Sequence, residues 1–137
     1  MPRLARSASA QSRLDISDEM DLVADRVRFE ADHKKDLLLS RDRGIDGVLN
    51  ANRLDAILTP GGSGAGLAAR AGYPIIVVPF GTVPNGANGG FPAGFDPKPA
   101  PFGVGFTGAA CSEPRLIELA YAFEQATKRR VSPPSTP

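Results

Sequence analysis

The chain holds one cysteine, one histidine and no tryptophan, and neither sign of charge dominates. A lone cysteine, Cys111, excludes an internal disulfide and suits a reducing compartment, so a cytoplasmic location is expected. His33 and Cys111 stand far apart and make a poor metal set, and neither a metal nor another cofactor is expected. With 16 basic against 15 acidic residues, the formal charge of +1 gives no electrostatic case for nucleic acid or an anionic membrane. No apolar run approaches the ~18 residues that a membrane helix needs. The opening MPRLARSASAQSRL is basic and rich in Ser and Ala, but its apolar stretch is too short for a secretory signal. Residues 1–16 therefore read as a disordered leader.

What is present suffices for one core: 137 residues, of which 42% are apolar and 23% charged. The 15 glycines and 13 prolines concentrate between Pro60 and Pro101, where turns and loops join short elements. Ser17 is placed to cap a helix, with Asp18 and Glu19 in its first turn. Met20, Val23, Val27, Ala31 and Leu38 form its apolar stripe. The pattern fits one long amphipathic helix, or two broken near Ser40–Gly44. Ile45, Val48 and Leu49 then resume an apolar face.

Leu54–Pro60 reads as a short strand ended by proline. The small residues 61–72 follow, with a brief helix or turn at Ala65–Ala71. Pro74–Pro79 is the clearest strand, and its unalternated β-branched run implies burial on both faces. Residues 81–101 read as a loop, with Asn85-Gly86 and Asn88-Gly89 as turn dipeptides. Phe102–Gly108 alternates apolar residues with glycine, as a strand closely approached by other backbone or a ligand would. Ser112 is placed to cap a last helix with a buried stripe of Leu116, Leu119, Ala120, Phe123 and Ala126. Lys128, Arg129 and Arg130 close it, and residues 131–137 cannot continue it. The order of elements indicates an α/β layer arrangement over residues 17–130.

Four segments resemble the late part of the amidase signature family. They are Arg43–Val48 followed by Leu54–Pro60, then Ala71–Pro79, Pro101–Gly108 and Ser112–Thr127. Each alone is weak; four in order at suitable spacing are specific. The resemblance spans roughly residues 20–133. It implies a partial mixed β-sheet flanked by helices, with Ala71–Pro79 as an interior strand, and hydrolysis of carboxylic amides by the whole enzyme. Members use a Ser–Ser–Lys set drawn from the first half of the domain. The resemblance therefore implies that this chain holds no catalytic residue. The chain also departs from many relatives after Pro60, where Gly61–Gly66 replaces an aromatic-containing segment.

The remaining candidates have plain readings. Ser63 in Gly61–Gly66 is framed neither as a phosphate loop nor as a nucleophile elbow. Nothing in the sequence places Lys34, Lys35, Lys98 or Lys128 beside it as a base. It reads as a turn at a pocket edge. His33 reads as a surface residue of a helix, and Cys111 as a small buried residue, although a helix start could stabilise its thiolate. Asp46 and Asp55 read as boundary or cap residues. Asn85 and Asn88 mark the loop best placed for substrate or partner contact. The expectation is a C-terminal amidase portion, inactive alone, that joins an N-terminal amidase portion or self-associates. The alternatives are a non-catalytic interaction or regulatory module, and a small enzyme using Ser63 or Cys111.

Overall fold

A computed structural model describes residues 17–84, 94–95 and 98–132 of the chain. The chain divides into two compact units, residues 1–35 and 36–137. The leader, the tail from 133 onward, and Asn85 and Asn88 lie outside the described residues.

In the first unit the helix starts later than the sequence suggests. Ser17 and Asp18 are helical, residues 19–25 are turns or irregular, and helix α1 covers Arg26–Leu37. Asp21 takes the local capping role, its Oδ1 accepting the N–H groups of Val23 at 2.8 Å and Ala24 at 2.9 Å. An Asp side chain that binds the backbone two and three residues ahead favours a turn over continued helix. Those two hydrogen bonds also hold the Asp21 carboxyl below the usual carboxylate range. The expected apolar stripe is not buried: Val23 and Val27 are 80% exposed or more, Ala31 and Leu38 are exposed, and Met20 is half-buried.

In the second unit the break near Ser40–Gly44 is a change of helix type. Leu38–Ile45 is a π-helical stretch, continued by α2 at Asp46–Asn52. Gly44 permits it, because a Cβ there would lie 2.6 Å from the carbonyl oxygen of Leu39. Ser40 is buried and donates its hydroxyl to the Asp36 carbonyl at 2.6 Å. Arg53 ends α2 in the left-handed region, and the Leu54 N–H reaches back to Leu49 O at 2.9 Å.

Strand β1 is Ile57–Pro60, α3 is Ala65–Ala71, β2 is Ile75–Val83, β3 is Ala100–Thr107 and α4 is Glu113–Thr127. Both strands that flank the 81–101 connection run further into it than expected, to Val83 and from Ala100. The sheet order is β1-β3-β2, with both pairings antiparallel. Among the described residues the strand expected in the interior lies at the edge of these three, and β3 lies between the other two.

Helix α4 covers one face of the sheet. Leu116 and Ala120 pack there against Val78 and Phe106. A bulge between Pro79 and Gly81 leaves Phe80 without a partner on β3. Phe80 instead meets Phe123, ring centroids 5.7 Å apart, and Phe123 meets Phe106 edge-on at 5.4 Å. The π-helical stretch, α2 and α3 cover part of the other face, where Ile45, Leu49 and Ala71 enclose Ile57 and Tyr73. This is the sheet flanked by helices that the sequence indicates.

The glycines of β3 allow close backbone approach. A Cβ on Gly103 would stand 2.7 Å from Val77 Cγ1 and 2.8 Å from Val78 O. Ser112 occupies the N-cap position of α4 without capping it. Its hydroxyl donates backwards to Ala109 O at 2.7 Å, so it closes the preceding turn. The buried stripe of α4 holds at Leu116 and Ala120, while Ala126 is exposed.

Candidate functional site

The Gly-rich segment crosses one end of the sheet as a tight turn between β1 and α3. Gly61 adopts φ +54, a conformation that favours glycine, and its N–H bonds Gly103 O at 2.6 Å. The Ser63 N–H bonds Pro60 O at 3.2 Å, closing the turn. Ser63 itself is exposed, and among the described residues no lysine, histidine or carboxylate bonds its hydroxyl.

Beneath the turn lie two residues that the sequence reading passed over. Thr59 on β1 and Thr107 on β3 share a sheet face, with Thr59 paired to Gly105 and Thr107 to Ile57. Thr107 is 3% exposed, and both Oγ1 atoms are sealed from solvent with no hydrogen-bond partner among the described residues. Strand alternation could have flagged them, since it puts Ile57 and Thr59 on one inward face.

The other candidates are scattered. His33 lies exposed on α1, its ring stacked on Phe29 with centroids 6.0 Å apart. Cys111 is exposed and free, contrary to the expected burial. Its φ of +59 lies in the left-handed region, in the turn that Ser112 closes onto Ala109, and that turn carries it outward. Asp46 begins α2 and accepts the Tyr73 hydroxyl proton on Oδ2 at 2.7 Å. Burial, then that hydrogen bond and the Asp46 charge, push the Tyr73 phenol up to about 12. Asp55 pairs instead with Arg115 at 3.2 Å, and Arg115 also holds Glu118 at 3.0 Å. The two aspartates therefore belong to different contacts. Among the described residues no three His, Cys, Asp or Glu side chains gather as a metal site would require.

Two apolar recesses open at β2. A groove of about 310 Å³ runs between its outer edge and α4, lined by Ile76, Val77, Pro79, Ile117 and Tyr121. Val77 is 47% exposed, Ile117 58% and Tyr121 63%, so the run expected to be buried on both faces is open on one. The second recess, about 770 Å³, lies where β2 and β3 leave the sheet, between Thr82, Pro101, Phe102 and Arg129. The Arg129 guanidinium also sits over the Phe80 ring at 5.5 Å. No helix among the described residues is long and apolar enough to cross a membrane.

No family model matches the chain. A probable amidase from Arabidopsis thaliana is 43% identical over 95 residues, which is 69% of this chain and 16% of that protein. A putative amidase from Arthroderma benhamiae is 36% identical over 121 residues, 87% of this chain and 20% of its own length. The native peptide amidase of Stenotrophomonas maltophilia superposes with a TM-score of 0.69 at 35% identity, over 90% of this chain and 25% of that one. The chain thus spans a quarter or less of each of these relatives, and it reproduces part of the sheet-and-helix architecture of the solved one. By sequence and by fold it is homologous to proteins of the amidase signature family.

Proposed function

We propose that this chain is the C-terminal part of an amidase-type hydrolase of carboxylic amides, and that it catalyses no hydrolysis by itself. The observation that carries this reading is partial coverage combined with open edges. A chain that matches a quarter of a peptide amidase folds here into three strands whose outer ones, β1 and β2, each have an unpaired edge among the described residues. Unpaired edges and open apolar faces are sites of association. The exposed Ser63, with no base on its hydroxyl, adds no nucleophile of its own. The partner is an N-terminal amidase portion that supplies the Ser–Ser–Lys set, and without it the chain self-associates. The working location is the cytoplasm, where the exposed Cys111 stays reduced.

The test is a serine-directed fluorophosphonate probe, read by intact mass on the native chain and on a denatured control. No adduct is expected. A single adduct on Ser63, present only in the native chain, would overturn the reading in favour of a self-contained hydrolase. A sharp monomer with one cooperative unfolding transition would count against the incomplete-fold part of it.

The groove at β2 favours a second reading, a non-catalytic interaction or regulatory module derived from an amidase. Stoichiometric binding to an intact amidase would select it, because an intact enzyme already has its own copy of this segment.

A further inference from the structure

The outer edge of β2 carries donors and acceptors in a definite pattern. The Gly108 N–H bonds Pro74 O at 3.3 Å, so the carbonyl just before β2 faces β3. Along an antiparallel pair every second residue turns its N–H and C=O towards the partner strand. By that alternation Ile76 and Val78 face β3, opposite their register partners Phe106 and Val104. The Val78 carbonyl lies on the β3 side as this requires, beside Gly103. Ile75 and Val77 therefore turn their N–H and C=O groups outward. Pro79 is the next outward position and has no N–H to offer, which is where a sheet tolerates proline. The bulge between Pro79 and Gly81 then breaks the register. Among the described residues no strand pairs with this side of β2.

The groove beside this stretch is apolar. Ile117 and Tyr121 of α4 wall it, and both are more than half exposed. Helix α4 thus overhangs the edge on the face where Val78 packs. A second copy joined edge to edge in antiparallel register would bring its own α4 onto that same face, because residues directly opposite share a face. A lone extended segment needs no such room. This chain covers 25% of the solved peptide amidase, so most of such an enzyme lies outside the match and can supply that segment. We infer that the outer edge of β2 at Ile75–Val77 takes an extended segment of the N-terminal amidase portion as a further strand, with an apolar side chain seated against Ile117 and Tyr121. The inference rests on the reading of the chain as a C-terminal amidase part and names the junction between the two parts. Main-chain hydrogen bonds at Ile75 and Val77 supply the pairing, and the groove selects the side chain. Strand β1 offers a shorter edge, four residues long and ending at Pro60.

The test co-expresses the full chain with the solved peptide amidase shortened by the segment that this chain matches, that segment itself serving as the positive control. A stable complex is expected, in which residues 74–79 of this chain gain protection in hydrogen-exchange mass spectrometry. Val77→Pro is expected to weaken the complex at least about tenfold, because it removes an outward N–H and leaves the ladder to β3 in place. Circular dichroism checks that Val77→Pro still folds; should it not, protection of residues 74–79 in the wild-type complex decides. A complex equally tight with Val77→Pro, or one without that protection, overturns the edge assignment and leaves the amidase reading standing. No complex with this chain, while the control segment binds, overturns both.

Discussion

Tyr73 donates its hydroxyl proton to Asp46 across 2.7 Å, joining the start of α2 to the residue two places before β2. The pair is 27 positions apart in sequence and ties the helical layer to the sheet at the point where Tyr73 packs against Ile45, Leu49 and Ala71. Its consequence is a pH dependence with a definite sign. The Tyr73 phenol lies at about 12 in the folded chain against 10.0 ordinarily. Folding therefore favours the protonated form, and the contribution is complete below pH 10 and is lost as pH rises towards 12. The urea midpoint of the wild type should fall across that window by more than that of Tyr73→Phe. At neutral pH the same substitution should cost about 1 kcal/mol. Parallel pH profiles for the two proteins would show that the pair does not couple to folding.

Leu116 is fully buried at the contact of α4 with Val78 and Phe106. Leu116→Ala should destabilise the folded chain by about 3 kcal/mol, the sum of lost transfer energy and an unfilled cavity. Ile117→Ala, one position along and 58% exposed, should leave the midpoint nearly unchanged. Chemical denaturation of both variants checks the contrast, which depends on which face of α4 meets the sheet.

Gly103 on β3 pairs with Pro79 of β2, next to the bulge. Gly103→Ala would bring a methyl group to 2.7 Å from Val77 Cγ1 and 2.8 Å from the Val78 carbonyl oxygen. The first contact can yield by a rotamer change; the second is backbone and cannot. A loss of about 2 kcal/mol is expected from such overpacking. Denaturation midpoints, with Gly66→Ala as a control at a glycine whose Cβ would meet nothing within 4 Å, give the comparison.

If the free edge of β2 and its groove drive association, Val77→Lys and Tyr121→Lys should shift the chain from oligomer to monomer in light scattering. A charge on an edge strand is a common natural guard against pairing. Both side chains are exposed, so neither substitution removes a core contact. Unchanged oligomers in the double variant would place association elsewhere on the surface.

Much of the architecture was legible from sequence, because it rests on local rules. Pro60 and the apolar stripe of α4 marked an element end and a face through backbone sterics and helical periodicity. Alternating glycine in Phe102–Gly108 announced the close approach that Gly103 makes to Val78. The resemblance to amidases was also legible, since it needed only four segments in order. The site was read less well. Ser63 drew attention through its glycine neighbours, while Thr59 and Thr107 did not, because alternation can point a threonine inward but cannot show that its hydroxyl ends sealed without a partner among the described residues.

What the sequence determined by itself was the order of elements, the lack of a disulfide and the kinship with part of a larger enzyme. Tertiary structure alone decided which strand is central. The apolar run of β2 suggested an interior strand, but pairing order is set by how chain segments meet, and both β1 and β2 pair with β3. It also decided that Asp21 binds the turn before α1, that Cys111 points outward, and that Asp46 and Asp55 take separate partners in Tyr73 and Arg115. Each of these depends on a competition between hydrogen bonds or packing contacts. Composition and periodicity record the competitors, and only the folded chain selects among them.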